Sequence, residues 1–359
     1  MLWRRGTSLE AQGWAEQSFA RRASRNIPTA ALTPQPLRSY SAPFPSAIDA
    51  MFATFPALLR IPLVMLLLTV NIVLHVLPLF VFTLIKVIMP VRMIRLACSR
   101  ILIVIAESWI AVNSLMFDWF TRTRWQLEGL TDLRYDGNYL VLCNHQSWVD
   151  IPVLQKIFNR RIPFLRFFLK SQLIWVPLLG PAWWALDFPF MKRYSKETLA
   201  AHPELQGKDM EATRRACEKF RHMPVSVMNF VEGTRFTPAK HDAQSSPYRY
   251  LLRPKAGGVA FVLDAMGDAL HAILDVTIVY PNGPCTMMDL IAGRIRDIRV
   301  HLRELPIDAE LHGNYENDVA FRERFQTWVN TLWSEKDTRI GRMHEQPVVQ
   351  QQDPQRCAS

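Results

Sequence analysis

The hydrophobic positions of this chain fall into distinct regimes. Ile61 to Ile85 carries no charged side chain and is interrupted only by Pro62, Thr69, Asn71, His75, Pro78 and Thr83. About 20 apolar residues suffice to cross a bilayer core, so this segment either spans or dips into a membrane, a buried helix of a soluble protein being the plainer alternative. Lys86, Arg92, Arg95 and Arg100 follow without an acidic residue, and such a basic joint tends to remain on the cytoplasmic side. Ile101 to Phe120 is again apolar, with Glu107, Ser114 and Asp118 on one stripe. That pattern suits a helix lying in the membrane interface, or packed on a neighbouring domain, better than a second full span.

From residue 125 to about 335 the runs shorten. Tyr139 to Cys143, Pro224 to Val231, Ile273 to Tyr280 and Asp297 to Leu302 read as strands, each rich in Val, Ile, Leu or aromatic residues. Lys208 to Arg221, Ala256 to Met266 and Asp318 to Trp333 read as helices, the last with Phe321, Phe325, Trp328, Val329 and Leu332 at the spacing of a packing face. This alternation predicts an α/β domain, a central sheet flanked by helices, over 121–340. Membrane-associated helices precede it at 51–120.

Residues 1–50 set Arg4, Arg5, Arg21, Arg22, Arg25 and Arg38 against Glu10, Glu16 and Asp49 and contain no apolar core of a secretory signal. A disordered basic tail is expected there, either a transit peptide or a stretch upstream of a true start at Met51. The Gln- and Pro-containing stretch 341–359 reads as a second disordered tail. The chain shows no internal repeat.

Charge narrows the partners. Among 359 residues, 42 Lys and Arg face 32 Asp and Glu, a net +10, so an anionic partner is expected. Nucleic acid, anionic lipid and phosphorylated substrates all qualify. The long membrane-compatible segment favours lipid, and the dispersed basic residues with no aromatic-basic motif speak against nucleic acid. Cys98, Cys143, Cys217, Cys285 and Cys357 form no Cys-x-x-Cys pair and no cluster with metal spacing, which suits a reducing compartment and calls for no metal.

The chemistry is carried by two strings that begin where apolar runs stop. His145-Gln146-Ser147-Trp148-Val149-Asp150 follows Tyr139–Cys143, and Phe230-Val231-Glu232-Gly233-Thr234-Arg235 comes about ninety residues later. Open α/β sheets place their sites at such strand ends. A histidine with a carboxylate at this spacing offers a base with its own orienting group, the means to deprotonate a hydroxyl. His271 precedes a strand and is expected to pack, His75 lies in the membrane segment, and the remaining histidines sit in polar, solvated contexts. Cys143, two residues before His145, invites an acyl-cysteine intermediate, but a cysteine ending an apolar strand is ordinarily core.

Over roughly residues 60–285 the chain resembles the 1-acylglycerol-3-phosphate acyltransferase family of glycerolipid acyltransferases, and most closely a bacterial inner-membrane branch. The resemblance rests on four ordered blocks: Asn144 to Asp150; Gly180 to Arg193, ending Phe190-Met191-Lys192-Arg193; Phe230 to Arg235; and, more loosely, Val276-Thr277-Ile278-Val279-Tyr280-Pro281. It implies His145 as general base, Asp150 holding its ring, Arg193 on the acceptor phosphate, and Glu232, Gly233, Thr234 and Arg235 binding the acceptor. Glu232 would accept a glycerol hydroxyl. Lys255 of Arg253-Pro254-Lys255-Ala256-Gly257-Gly258 is similar to a Lys-x-Gly element of the family, at a predicted helix start suited to phosphate.

The implied reaction is acyl transfer from acyl-CoA or acyl carrier protein to the sn-2 hydroxyl of lysophosphatidic acid, giving phosphatidic acid. It needs neither metal nor covalent cofactor, and the implied place is the cytoplasmic side of the cell inner membrane. Three other readings stay open: another acceptor such as lysophosphatidylglycerol, a thioesterase or lipase, and a basic RNA- or lipid-binding module without catalysis. The second lacks a Gly-x-Ser-x-Gly elbow. Trp175, Trp183 and Trp184 lie in an apolar stretch too broken to span, suited to membrane contact, an acyl channel or core packing.

Overall fold

The computed structural model describes residues 52–129, 133–191 and 224–346. Helices α1 (Ala57–Ile88) and α2 (Arg92–Phe120) form an antiparallel hairpin ahead of the α/β domain. Two of the interruptions in α1 face its partner: Asn71 Nδ2 donates to Trp109 O at 3.2 Å and to Asn113 Oδ1 at 2.8 Å, and His75 Nε2 lies 3.2 Å from Ser108 Oγ. The basic residues read as a joint are mostly inside the first turns of α2, so the turn itself is only Met89–Val91.

The polar stripe of α2 docks on the domain. Tyr135 donates to Glu107 Oε1 at 2.7 Å, and Lys156 pairs with Asp118 at 2.5 Å. Helix α1 is held near both ends. Arg60 donates to the carbonyls of Ala53 and Ala292, and Lys86 Nζ pairs with Asp187 Oδ2 at 2.9 Å.

Strand β1 (Arg124–Glu128) is followed by β2 (Tyr139–Cys143), α3 (Asp150–Phe158), β3 (Leu165–Phe167), β4 (Leu169–Lys170), α4 (Leu179–Ala185) and β5 (Phe190–Met191). Then come β6 (Ser226–Phe230), α5 (Pro238–Ala243), α6 (Ala256–Met266), β7 (Ala272–Val279), α7 (Met287–Ile291), β8 (Asp297–Leu305) and α8 (Val319–Glu345). The main sheet has the order β1-β8-β7-β2-β6-β3, with β4 and β5 paired separately. The predicted helix Lys208 to Arg221 lies outside the described residues.

Central strands β2 and β7 are buried at every position, as strands covered on both faces must be. Their side chains alternate between two cores. Tyr139, Val141 and Cys143 join Leu274 and Val276 beneath α2 and α3, while Leu140, Leu142 and Ile273 meet α6 and α8. Helix α8 runs past the expected end of the domain at residue 340 to Glu345, and Met343 continues its buried face there.

Candidate active site

Parallel pairing explains why motifs far apart in sequence meet. Strand β2 lies between β6 and β7 and runs parallel to both, with Cys143 opposite Phe230 on one side and Val276 on the other. Three loops therefore leave the sheet at the carboxyl ends of these strands: the one beginning at Asn144, the one beginning at Val231, and the one beginning at Tyr280. Asn144 splices the first to the neighbouring strand. Its amide accepts from Ile278 N and donates to Ile278 O, both at 2.9 Å, so a side chain continues the ladder after β2 stops.

Backbone bonds then clasp the first two loops together. His145 N donates to Glu232 Oε1 at 2.9 Å, and Phe236 N donates to His145 O at 2.7 Å. The second oxygen of Glu232 accepts from Leu252 N at 3.0 Å. The carboxyl expected to receive a glycerol hydroxyl is thus turned inward and buried, tying three segments together. Burial pushes it up to about 8, against the pull of the two backbone donors.

The histidine itself stands at the rim. His145 Nδ1 lies 2.8 Å from Asp150 Oδ2, with 13% of the histidine side chain and none of the aspartate side chain exposed. Asp150 Oδ2 also accepts from Gln146 N at 2.7 Å and Ser147 N at 2.9 Å, and Oδ1 accepts from Tyr280 Oη at 2.7 Å. Burial and the nearby Asp150 carboxylate hold the Tyr280 phenol well above its ordinary range, so it remains an O–H donor. The His145 ring stacks on Phe230 with centroids 3.8 Å apart. Donation of Nδ1–H to Asp150 leaves the Nε2 lone pair to take a proton. Among the described residues none bonds Nε2.

Next to this dyad is a basic turn. Gly233 has φ +70°, and a Cβ there would stand 3.2 Å from Cδ of Lys255, whose side chain lies across the glycine. Lys255 N donates to Val231 O at 2.8 Å, bringing the start of α6 to the same turn. Arg235 is exposed and stacks over the Trp148 ring at 4.7 Å, so the loop carrying His145 also positions this guanidinium. Lys240 Nζ donates to Thr234 Oγ1 at 2.8 Å and to Arg235 O at 3.0 Å. Gly233, Thr234, Arg235 and Lys255 are therefore together. Arg193 lies outside the described residues.

Some functional side chains were not singled out from the sequence. Tyr280, Phe230 and Asn144 sit inside quoted blocks without a role, and the signal for them is topological: each borders β2 once β6 and β7 are its neighbours. Lys240 belongs to α5, a helix too short to be read from the pattern. Cys143 is fully buried and burial holds its thiol well above the ordinary range, so it is a core residue rather than a nucleophile. His271 packs edge-on against Tyr139, with ring centroids 5.7 Å apart. His301, expected to be solvated, is lowered to about 4 by burial and the adjacent Arg339.

Residues 124–281, the stretch holding every candidate site residue, match the family model described as Acyltransferase. That stretch, rather less than half of the chain, is an acyltransferase-type domain. Lysocardiolipin acyltransferase 1 of Mus musculus is 30% identical over 217 residues, covering 56% of this chain and 53% of that protein. The Gallus gallus counterpart is 28% identical over 222 residues, covering 57% and 54%. The 1-acyl-sn-glycerol-3-phosphate acyltransferase gamma of Mus musculus is 25% identical over 189 residues, covering 50% and 46%. The chain spans about half the length of these relatives. A solved 1-acyl-sn-glycerophosphate acyltransferase from Thermotoga maritima aligns over 82% of this chain and 100% of its own, with 16% identity and a TM-score of 0.49.

Proposed function

We propose that this protein transfers a fatty acyl group from acyl-CoA, or from acyl carrier protein, to the sn-2 hydroxyl of lysophosphatidic acid, yielding phosphatidic acid. The observation that carries the reading is the His145–Asp150 pair at 2.8 Å, clasped by backbone bonds to the basic turn that holds Arg235. In this reaction Nε2 of His145 takes the proton of the attacking alcohol as the new C–O bond forms at the thioester carbonyl. Asp150 stabilises the imidazolium, the C–S bond breaks, and the proton passes to the departing thiolate. Base assistance of this kind contributes roughly 10² to 10⁴ in rate.

Arg235 and Lys255, with Arg193 as the sequence resemblance implies, supply positive charge for the acceptor phosphate. The relatives named 1-acyl-sn-glycerol-3-phosphate acyltransferases support the phosphomonoester acceptor. Those named lysocardiolipin acyltransferase support a second reading, in which the acceptor is another lysophospholipid such as lysophosphatidylglycerol. A panel of lysophospholipids with labelled acyl-CoA tests both. Labelled lysophosphatidic acid product supports the first, transfer confined to other lysolipids supports the second, and free fatty acid released without any acceptor refutes both. Arg235→Ala is expected to raise the KM for the phosphorylated acceptor on the order of tenfold without changing the thioester KM.

The two apolar helices, each long enough by length and composition to cross a membrane, support membrane association. A place on the cytoplasmic side of the cell inner membrane rests on the basic residues that follow the first apolar segment and on the family resemblance. The attachment of the two helices favours a hairpin entered from one side. Arg60 and Lys86 are separated by about 39 Å of helix, more than the roughly 30 Å hydrocarbon core, yet both are fastened to the same α/β domain. A perpendicular span would put Ala292 and Asp187 on opposite faces of the bilayer. In the one-sided arrangement the hairpin lies against the membrane with Leu66, Leu74 and Leu84 exposed along its outer flank.

A further inference from the structure

One apolar surface is left unexplained by the site and by the hairpin. Between β4 and β5 the chain makes an excursion whose base is closed by the pairing of Leu169 with Phe190 and by Leu169 N donating to Pro189 O at 2.9 Å. It is folded tightly on itself: a Cβ at Gly180 would stand 2.0 Å from the carbonyl oxygen of Ile174, so only glycine fits where the two arms touch. Trp183 packs inward against the core. Trp175 is 85% exposed and Trp184 52% exposed, and between them Leu178 is 44% exposed at φ +63°. A leucine in the left-handed region costs on the order of 1 kcal/mol or more, and holding it outward beside two bare tryptophans gains nothing in water.

Neighbouring elements indicate what covers this surface. Asp187, at the end of the excursion, pairs with Lys86 at 2.9 Å, next to the hairpin turn. On one side of that contact lies the exposed flank of α1, with Val81, Leu84 and Ile88. On the other lie Arg92, Arg95 and Arg100, all exposed and without an acidic neighbour in the first turns of α2. Tryptophan favours the headgroup layer, where one end of the ring is apolar and the other wet, and arginines beside it attract anionic lipid. The excursion also borders the site. Phe188 stacks at 6.4 Å on Phe167, Phe167 lies 6.2 Å from Phe230, and Phe230 carries the His145 ring.

We propose that residues 171–189 form a second membrane-docking element, seated with Trp175, Leu178 and Trp184 in the headgroup layer of an anionic bilayer beside the hairpin turn. Two anchors at different points fix the rotation of the domain about the hairpin. The row of rings ending at His145 then opens at the level where a lysolipid headgroup resides. The inference rests on the membrane reading of the hairpin and is independent of the acyl-transfer reading.

The test uses the full-length protein bound to phosphatidylglycerol/phosphatidylcholine vesicles carrying a nitroxide quencher at the headgroup. Trp175→Phe and Trp184→Phe should each reduce the quenched share of tryptophan emission relative to wild type. Leu178→Glu should lower partitioning into these vesicles about tenfold or more while leaving the thermal unfolding midpoint in detergent unchanged. Equal quenching in wild type and both Phe variants overturns the proposal, as does unchanged partitioning of Leu178→Glu. Failure of the wild type to bind vesicles overturns it together with the membrane reading of the hairpin, whatever the acyl-transfer assay shows. Burial of the two tryptophans only on addition of an acidic carrier protein overturns it in favour of a protein partner.

Discussion

Two fully buried aspartates meet the same strand, β7, and are stabilised in opposite ways. Asp275 lies within the strand, with Lys336 Nζ at 2.6 Å, Arg303 Nε at 2.8 Å and Arg339 Nη1 at 3.7 Å. Burial drives its carboxyl upward, but Lys336 and Arg303 outweigh that and hold it below the ordinary value. Asp150 is bonded by Tyr280 just beyond the strand, by two backbone amides and by His145, and among the described residues no Lys or Arg pairs with it. Cations cancel the first charge and fix α8 to the sheet. Neutral donors stabilise the second without cancelling it, so its field remains available to an imidazolium.

The contrast yields predictions of decreasing size. His145→Ala should reduce turnover by at least about two orders of magnitude with the fold retained; near-normal kcat in a purified sample would remove the base from the scheme. Asp150→Asn should lower kcat on the order of 10²-fold or more with little change in either KM, because the imidazolium loses its counter-charge. Lys336→Met should do the reverse. It is expected to cost about 3 kcal/mol in chemical denaturation, since it strips a buried carboxylate of its nearest cation, while turnover per folded molecule stays near wild type.

The smallest effect is the most discriminating. Tyr280→Phe removes one of the donors on Asp150, and the carboxylate then bears more strongly on the protonated ring. The expected change in kcat is small, about threefold, with both KM values unchanged. A lowered thermal unfolding midpoint with kcat untouched would mean that Tyr280 serves packing alone.

Local signals in this chain were legible and long-range ones were not. Strand Tyr139–Cys143 and helix Ala256–Met266 begin and end where the pattern places them, because a continuous apolar run and an N-terminal basic residue mark them without tertiary help. Strand β1 was missed: Arg-Trp-Gln-Leu-Glu has only one buried position and belongs to an edge strand. Helix α3 hid behind the motif, since Asp150 reads as a loop residue until its carboxylate is seen bonding the two amides before the helix. Lys336 is the clearest case. A lysine on a helix reads as solvated, and only the 60-residue separation from Val276 closed by the fold reveals it as buried.

For the candidate site, the two motif strings named the dyad and the basic turn, and motif plus strand end was enough. The inward direction of the Glu232 side chain was invisible because a carboxyl bonded to the distant amides of His145 and Leu252 and one offered to a ligand have the same one-letter code. Parallel neighbours of β2 had to be known before Tyr280 could be matched to Asp150.

The docking of the hairpin sets a practical limit on trimming this protein. Leu79, Leu102, Ala106, Ile110 and Phe117 belong to the same core as Val153 and Leu154 of α3. Cutting the chain ahead of β1 to obtain a water-soluble fragment would remove one wall of that core and leave a greasy face where detergent or aggregation takes its place. What resembles a detachable anchor is the domain's own roof.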